Sequence, residues 1–314
     1  MILVFESIFP IFSIILLGFA LRKSRFVPVE HWSVIEELCY WVLFPAILAE
    51  TIIKADLNAV KLGSFTFALL ATMLSMACLT LALWPIIKNI LGTNRKQFST
   101  IYQTSTRWHG FIALAIILKL YGDTGAALIG VAFAVMVPIL QISNIIVLVA
   151  FSNDARLDWR QIARSLIINP IIWGVLVGLS VNLLQLPVWN PIMSILDLLG
   201  RGALGLSLLA LGAGLSLQAA LKPSRELLIG LISKLFISPA IMAAWAIWFG
   251  VSGLAFAVLL VCAAVPTAMN GYLLAKKMGG DAELYAATST LQTVVSFFSI
   301  PLVLWCAERY VGGF

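Results

Sequence analysis

Long apolar runs separated by short polar segments recur along the whole of this 314-residue chain. Each run is close to the roughly 20 residues that an α-helix needs to cross a lipid bilayer. Proline and glycine mark several of the boundaries between runs. The pattern therefore predicts an all-α membrane protein with ten transmembrane helices. The predicted spans are 4–21, 34–53, 63–90, 99–121, 125–150, 163–186, 191–216, 226–250, 253–276 and 284–306.

Composition indicates that most of the surface faces lipid. Hydrophobic residues make up 61% of the chain and charged residues 11%, whereas a soluble chain averages about 25% charged residues. The net charge of +6 does not indicate nucleic-acid binding, because lysine and arginine lie in short loops without a basic stripe or an aromatic platform. No basic segment precedes the first run, so we expect residues 4–21 to be a retained span and not a cleaved signal.

Basic residues are unevenly divided between the two sets of loops. The loops after odd-numbered spans contain thirteen lysine and arginine residues, and the opposite loops contain four. Because basic loops stay in the cytoplasm, both termini are predicted to lie on the periplasmic side of a bacterial inner (plasma) membrane. The larger set is Arg22, Lys23, Arg25, Lys88, Arg95, Lys96, Arg156, Arg160, Arg164, Lys222, Arg225, Lys276 and Lys277; the smaller set is Lys54, Lys61, Lys119 and Arg309.

The polar segment 152–165 is expected to form a short amphipathic helix on the cytoplasmic side and to divide the chain into halves of five spans, 1–151 and 166–314. Because five is odd, the second half enters the membrane from the opposite side, and two related halves would form an inverted repeat. Short motifs recur in corresponding spans. Pro10 and Gly18 match Pro170 and Gly178, and the triplet 109–111 matches the triplet 270–272.

Two spans are predicted to be interrupted near the middle of the membrane. Span four would break near His109 and Gly110, and span nine between Pro266 and Gly271; the simpler alternative is a pair of kinked helices. Inverted-repeat carriers bind substrate near the midplane beside broken helices. The unpaired backbone groups of a broken helix must face protein, water or substrate, and helix N-termini favour anions.

Arg107 is the most informative candidate, because it lies too deep in span four for its charge to reach the interface easily. A central arginine costs at least about 2.5 kcal/mol on insertion scales. Its guanidinium can bind a carboxylate with two hydrogen bonds, and the alternative is a structural partner such as Asp197 or a backbone carbonyl. His109 could relay a proton. A hydrogen bond between spans four and nine is favoured, because Asn270, the residue that matches His109 in the second half, cannot titrate.

Other polar residues within the spans have open roles. Lys234 could occupy the place where related folds hold a coupling cation. Asp197 and Arg201 are spaced to satisfy each other on one helix face, so a structural pair is favoured. Asn144 and Gln292 would polarise a central cavity, although single amides in membrane helices are more often helix–helix contacts. The candidate substrate-binding residues are Arg107, His109, Gly110, Pro266, Asn270, Gly271, Asn144 and Gln292.

Motifs of enzymes are missing from the sequence. It contains no phosphate-binding Walker loop, no zinc-protease or serine-hydrolase motif and no cysteine–histidine cluster. We therefore expect no enzymatic activity, no cofactor and no metal site. Transport would be gradient-driven, facilitated, or powered by another subunit.

Several motifs, taken in order and spacing, resemble the auxin efflux carrier family in the form found in bacterial members. The resemblance covers essentially the whole chain. Its motifs are 17–19, 43–46, 107–115, 211–213, Lys234 before Pro239, 264–284, 291–293 and 300–302.

The resemblance implies two inverted five-helix repeats with crossed, broken helices four and nine, a fold similar to that of the bile-acid/sodium symporter. It also implies a core domain that moves against a scaffold domain. Bacterial relatives are associated with dicarboxylates such as malate and malonate, and plant relatives export auxin. The chain departs from many relatives at His109, where they have asparagine, and at Ala115, where they have proline. These departures bear on substrate, proton coupling and the sharpness of the break.

The sequence thus favours a secondary transporter or facilitator of a small carboxylate such as malate, malonate or an auxin-like acid, working by alternating access. The alternatives are a cation-coupled symporter or sodium/proton antiporter on a related fold, and a non-transporting membrane sensor or scaffold. Expected partners are the carboxylate and membrane lipid, with no nucleic acid. A proton or sodium ion as coupling ion, and a homodimer, are left open.

Overall fold

The computed structural model describes residues 2–55, 62–151, 158–221 and 224–311. Over these residues all regular secondary structure is helical, with no strand. Two π-helical turns, Cys39–Leu43 and Ser233–Ile237, join neighbouring α-helices into longer rods. The helices are α1 (Ile2–Lys23), α2 (Val29–Leu38), α3 (Phe44–Lys54), α4 (Leu62–Ala82), α5 (Trp84–Leu91), α6 (Arg95–Thr106), α7 (Gly110–Phe151), α8 (Trp159–Ile167), α9 (Pro170–Leu183), α10 (Asn190–Gly214), α11 (Leu217–Ala220), α12 (Arg225–Ile232), α13 (Ser238–Trp248), α14 (Gly253–Ala264), α15 (Gly271–Lys277) and α16 (Ala282–Val311).

Helices occupy each predicted apolar run, and the protein is a multi-pass helical membrane protein. Within the described ranges, seven helices or helical rods are long and apolar enough to cross a membrane. One of them, Arg95–Phe151, is 57 residues long and holds predicted spans four and five. Its helical path breaks at Gly122, whose φ of 64° and ψ of −156° are not helical. Two further apolar helices, α9 and α14, are shorter. Ten crossings in two inverted repeats therefore stay a prediction.

The chain forms two compact units, and each draws on both halves of the sequence. The first unit consists of Met1–Leu62, Gly110–Val137 and Ala163–Gly214. In it α1 packs against α10, and α3 packs against α9 and α10. The halves 1–151 and 166–314 are a division by sequence, and the proposal that they are structural repeats stays a prediction.

Glycines permit close helix packing in the first unit. A Cβ at Gly18 of α1 would lie 2.0 Å from the carbonyl oxygen of Leu209. A Cβ at Gly178 of α9 would lie 3.1 Å from the Cα of Ala49. Gly18 and Gly178 occupy matching positions in the recurring motif of the two halves. At both positions the backbone of a neighbouring helix comes close. Gly212, in the small-residue run of span seven, similarly lies against the backbone of Ile15.

The second unit consists of Gly63–His109, Pro138–Ile162 and Leu215–Phe314. Its long helix α16 packs against α6, α11, α12, α14 and α15. Many hydroxyl side chains in this unit are buried, and they are satisfied by bonding back to a carbonyl one helical turn earlier. Thr104, for example, donates to the carbonyl of Thr100 at 3.0 Å, and Thr293 to that of Ser289 at 2.8 Å. These bonds allow many of the hydroxyl side chains on apolar helices to be buried with a partner.

Part of the charge pattern behind the predicted orientation lies outside the described residues. Lys61, Arg156 and Lys222 fall there, and so does the side chain of Arg309. The predicted linker helix is described from Asp158 onward: α8 begins at Trp159 and ends at Ile167. Residues 152–157 of the linker are outside the described ranges.

Candidate functional site

Predicted span four is interrupted after α6. Helix α6 begins at a capping box, in which the Asn94 side chain accepts from the backbone of Gln97. It ends at Thr106, and Arg107 turns to an extended conformation with φ of −70° and ψ of 157°. The next helix begins at Gly110. The break therefore covers residues 107–109 and includes His109, near which the sequence predicts it.

Predicted span nine is interrupted over a longer stretch. Helix α14 ends at Ala264, and α15 begins at Gly271. Val265 is extended, with ψ of 151°, because the ring of Pro266 disfavours a helical conformation in the preceding residue. Pro266 also has no N–H group to continue the helical hydrogen bonds. The segment 265–270 is therefore non-helical, as its proline and glycine predict.

A hydrogen bond joins the two interruptions. The Arg107 Nη2 donates to the Asn270 Oδ1 at 3.2 Å. Arg107 is only 8% exposed, and it forms no salt bridge with any described residue. Its Nη1 has no hydrogen-bond partner within the described part of the chain. The guanidinium is thus held by a neutral amide and keeps donors and a full positive charge that no described carboxylate neutralises.

Gln292 braces the two interruptions from α16. Its Oε1 accepts from the backbone N–H of Thr267 at 2.9 Å. Its Nε2 donates to the carbonyls of Thr104, at 3.0 Å, and Gly230, at 2.9 Å. The side chain is completely buried. Both amide atoms are therefore occupied by backbone groups, and the substrate contact that the sequence suggests for Gln292 stays a prediction.

Tyr285 of α16 supports the second interruption and is absent from the residues that the sequence singles out. Its hydroxyl donates to the carbonyl of Ala268 at 2.6 Å and lies 3.0 Å from the Thr267 Oγ1. A Cβ at Gly271 would lie 2.1 Å from the same hydroxyl. Gly271 is therefore the small residue that lets Tyr285 reach the broken segment. The available signal was an aromatic hydroxyl within an apolar span, which must find a partner there.

Several buried amides and hydroxyls near these elements lack partners among the described residues. Neither amide atom of Gln103, one turn before Arg107, has a hydrogen bond, and the Oγ of Ser105 has none. Asn144 donates to the carbonyl of Leu140 at 2.7 Å, but its Oδ1 accepts nothing. Buried polar atoms of this kind usually bind water or ligand. Gln103 was missed because one amide in a polar segment gives no distinct pattern.

His109 and Gly110 lie at the end of the first interruption. His109 belongs to the second compact unit and is 7% exposed. Gly110 belongs to the first unit, where a Cβ would lie 2.3 Å from the ring of Phe133. A side chain larger than hydrogen is therefore excluded at Gly110 by packing alone, and its candidate role in substrate binding stays a prediction.

Lys234 lies in the π-helical turn Ser233–Ile237, which packs against α6, α14 and α16. It is 2% exposed, and it forms no salt bridge with a described residue. The second unit thus contains two buried basic side chains, Arg107 and Lys234, without a carboxylate paired to either in the described ranges.

Asp197 and Arg201 form the ion pair that their spacing predicts. The Arg201 Nη2 lies 2.9 Å from the Asp197 Oδ2 on α10, and both side chains are exposed. A second pair of the same spacing, Glu50 and Lys54 on α3, has a nitrogen–oxygen distance of 2.6 Å. No group of three or more histidine, cysteine or acidic residues with metal-binding geometry occurs among the described residues.

Comparison with known proteins identifies a family over nearly the whole chain. Residues 3–304 match the family described as membrane transport protein. The chain is also similar to an uncharacterized transporter of Methanothermobacter thermautotrophicus (strain Delta H), with 22% identity over 313 residues. That alignment covers 95% of this chain and 96% of the relative. The family match includes most of both compact units, and residues 305–314 of the second unit lie beyond it.

Proposed function

Because this chain belongs to the membrane transport protein family, the auxin efflux carrier family that its motifs resemble, we propose that it transports a small organic anion. It is a membrane transporter by family, and the proposal concerns what it carries. The substrate would be a carboxylate such as malate, malonate or an auxin-like acid. The protein would act as a secondary carrier or as a facilitator of this acid.

The buried Arg107 is the observation that carries this proposal. A guanidinium in a water-poor interior needs an anion or several strong acceptors to offset its lost hydration. In the described residues it has one neutral acceptor, the Asn270 amide at 3.2 Å. A carboxylate could take two parallel N–H donors from the same group. The arrangement therefore favours an anion at Arg107 over a cation or an apolar solute.

The other candidate residues divide into contacts and supports under this proposal. Asn270 and Pro266 define the non-helical segment beside Arg107, and Gly271 admits the tyrosine that fixes it. Gln103 offers a donor and an acceptor that have no partner among the described residues. Lys234 is a second buried basic side chain in the same compact unit as Arg107. Alternating access would expose this site to each side of the membrane in turn.

Counterflow in proteoliposomes tests the proposal. Purified protein would be reconstituted in vesicles loaded with unlabelled malate, malonate or indole-acetate, and uptake of the same labelled acid measured. We expect uptake of at least one of them and a loss of at least about tenfold in Arg107→Ala. Arg201→Ala, which removes an exposed arginine of a surface ion pair, should retain uptake.

The coupling ion is tested in the same vesicles. Uptake would be measured with and without a sodium gradient and with and without a pH gradient. A requirement for sodium would favour the cation-coupled alternative over a facilitator. The anion-site assignment fails if none of the three acids is carried and Arg107→Ala equals the parent protein for whatever solute is carried.

A further inference from the structure

A basic pocket lies beside helices α5 and α6, separate from the interrupted segments. It is a cavity of about 540 Å³ whose lining includes Lys88, Arg95, Lys96, Trp84 and Phe151. All of these residues belong to the second compact unit. The three cations are exposed, so they are accessible to a ligand. None of them belongs to the proposed anion-transport site.

Aromatic rings hold two of the cations in place. The Lys88 Nζ lies 6.0 Å from the centre of the Trp84 ring. The Arg95 guanidinium lies 5.3 Å from the centre of the Phe151 ring, and its Nη2 donates to the Ala150 carbonyl at 2.5 Å. The remaining donors of Arg95 form no other recorded bond to the described protein. Lys88 and Arg95 therefore lie against aromatic rings, and neither forms a salt bridge with a described residue.

The wall of the basic pocket is a packed aromatic cluster. The rings of Trp84 and Phe98 have centres 4.5 Å apart, and those of Phe98 and Phe151 are 4.8 Å apart. Phe98 is completely buried. Trp84 and Phe151 line the pocket, and Phe98 packs behind them, so this side of the pocket is apolar. A ligand with an anionic head and an apolar remainder fits a pocket that combines this apolar side with three cations.

The neighbouring helix has the character of a membrane-surface helix. On α5 the apolar residues Ile86 and Ile90 are 53% and 71% exposed, and the exposed cation Lys88 lies between them in sequence. Because residues two apart do not share a face of an α-helix, the two isoleucines and Lys88 lie on different faces of α5. Separate apolar and cationic faces are typical of helices at the lipid–water boundary. The orientation predicted from the loops also places Lys88, Arg95 and Lys96 on the cytoplasmic side.

The nearby carboxylate of Glu226 accepts from Thr93 at 3.1 Å, and one carboxylate cannot neutralise three cations.

We infer that the basic pocket binds the phosphate headgroup of an anionic phospholipid. The phosphodiester would lie among Lys88, Arg95 and Lys96, where lysine and arginine are suited to phosphate. Its acyl chains would enter the lipid that the exposed Ile86 and Ile90 contact. The same phosphate chemistry occurs in soluble phosphate esters, but the exposed Ile86 and Ile90 favour the lipid.

Native mass spectrometry of the detergent-solubilised full chain tests this site. Phosphatidylglycerol, phosphatidylcholine and glycerol 3-phosphate would be titrated separately onto the parent protein. A pocket variant, K88Q/R95Q/K96Q, would be compared with a control variant, R160Q/K276Q/K277Q, which removes the same number of exposed cations from loops of the same predicted side. Single variants K88Q and K96Q guard against a folding defect, because neither residue's side chain makes a recorded hydrogen bond.

We expect the parent protein to bind phosphatidylglycerol more tightly than phosphatidylcholine. The pocket variant should bind phosphatidylglycerol at least about tenfold more weakly, with smaller losses in the single variants and little change in the control. Equal losses in the pocket and control variants would reduce the effect to overall charge and overturn the site. Glycerol 3-phosphate binding as tight as the lipid would overturn the lipid assignment, and so would equal affinity for the two lipids.

Discussion

At the residue scale, the protein has a buried arginine within a predicted membrane span, where charged residues are rare. Arg107 is buried and has a neutral amide as its partner at 3.2 Å. A structural arginine would be expected to have a carboxylate or several carbonyls around it. The sequence left two explanations open, anion contact and structural pairing. Asp197, the structural partner it suggested, is engaged by Arg201 at 2.9 Å, which favours anion contact.

Replacing Asn270 with aspartate separates these explanations. Asn270→Asp would place a carboxylate where the amide oxygen now accepts from Arg107 at 3.2 Å, and the resulting ion pair would occupy the guanidinium. We expect anion uptake to fall at least about tenfold, since the substrate must compete with an attached carboxylate. Thermal stability should be unchanged or higher, because a buried positive charge gains a partner.

Asn270→Ser is the matched control, since it keeps a small polar group without adding charge. It should retain more uptake than Asn270→Asp. If the aspartate variant transports as well as the parent protein, Arg107 does not bind the anion. If the aspartate variant unfolds, Arg107 did not need a carboxylate partner at this position.

Gln292 is an uncharged residue that forms hydrogen bonds at both helix interruptions. Its three hydrogen bonds reach backbone groups of Thr104, Gly230 and Thr267. Gln292→Leu would remove all three bonds. The Gly230 carbonyl would still accept from the Ser233 N–H, whereas the Thr267 N–H and the Thr104 carbonyl would lose their bonds to Gln292, at a cost of about 1–3 kcal/mol for each group that finds no water. We therefore expect a clear drop in the melting temperature, measured by a thermal-shift assay in detergent.

Gln185→Leu is the comparison for that measurement, because Gln185 is exposed and bonds to one carbonyl, that of Asn182. Its melting temperature should stay close to that of the parent protein. Should Gln292→Leu keep full stability and lose uptake alone, Gln292 would be a substrate contact, as the sequence pattern suggested.

At the element scale, the two interruptions follow from local chemistry that the sequence displays. Pro266 forces Val265 into an extended conformation, and the polar run of α6 ends where Arg107 leaves the helix. The prolines and glycines therefore predicted where the helices stop. Tyr285 could not be predicted in the same way, because its partner Ala268 lies 17 residues earlier and meets it only through folding. Gln103 was missed for the same reason: its lack of a partner is a three-dimensional property.

The contact between α15 and α16 can be tested at Gly271. A Cβ there would lie 2.1 Å from the Tyr285 hydroxyl and 2.3 Å from its ring carbon. Gly271→Ala should therefore displace Tyr285 from Ala268 and destabilise the protein by about 1–3 kcal/mol, as overpacking does. Gly205→Ala, in the middle of α10, has nothing within 4 Å of the added Cβ, and it should be neutral or slightly stabilising.

Thermal unfolding of both variants in detergent, with uptake as the second measurement, checks this comparison. The larger loss is expected for Gly271→Ala in both. Equal melting temperatures for the two variants would mean that Tyr285 can leave the broken segment without cost, and the support assigned to it would be wrong.

At the scale of the whole molecule, the sequence predicted the helical class and the family but not the division into compact units. Apolar runs near 20 residues indicate membrane helices because the bilayer sets their length. The units, however, each combine segments from both halves of the chain, and such long-range association leaves no trace in local periodicity. Gly18 and Gly178 lie between these extremes, because one of their properties is visible in the sequence and the other only in the fold. The recurrence of the motif is visible in the sequence, whereas their contacts with Leu209 and Ala49 are visible only in the fold.

The orientation of the whole chain rests on thirteen basic residues in one set of loops against four in the other. This excess predicts that the C-terminus is periplasmic. Fusions to the C-terminus of the full chain in a bacterial host would check it: alkaline phosphatase should be active and green fluorescent protein dark, since each folds on one side of the inner membrane only. A fluorescent protein inserted in segment 152–165 should be bright, because that segment is predicted to be cytoplasmic. Bright fluorescence from the C-terminal fusion would place the basic pocket on the periplasmic side. An equal signal on both sides would mean that the chain inserts in two orientations, as an inverted repeat with a weaker charge bias would allow.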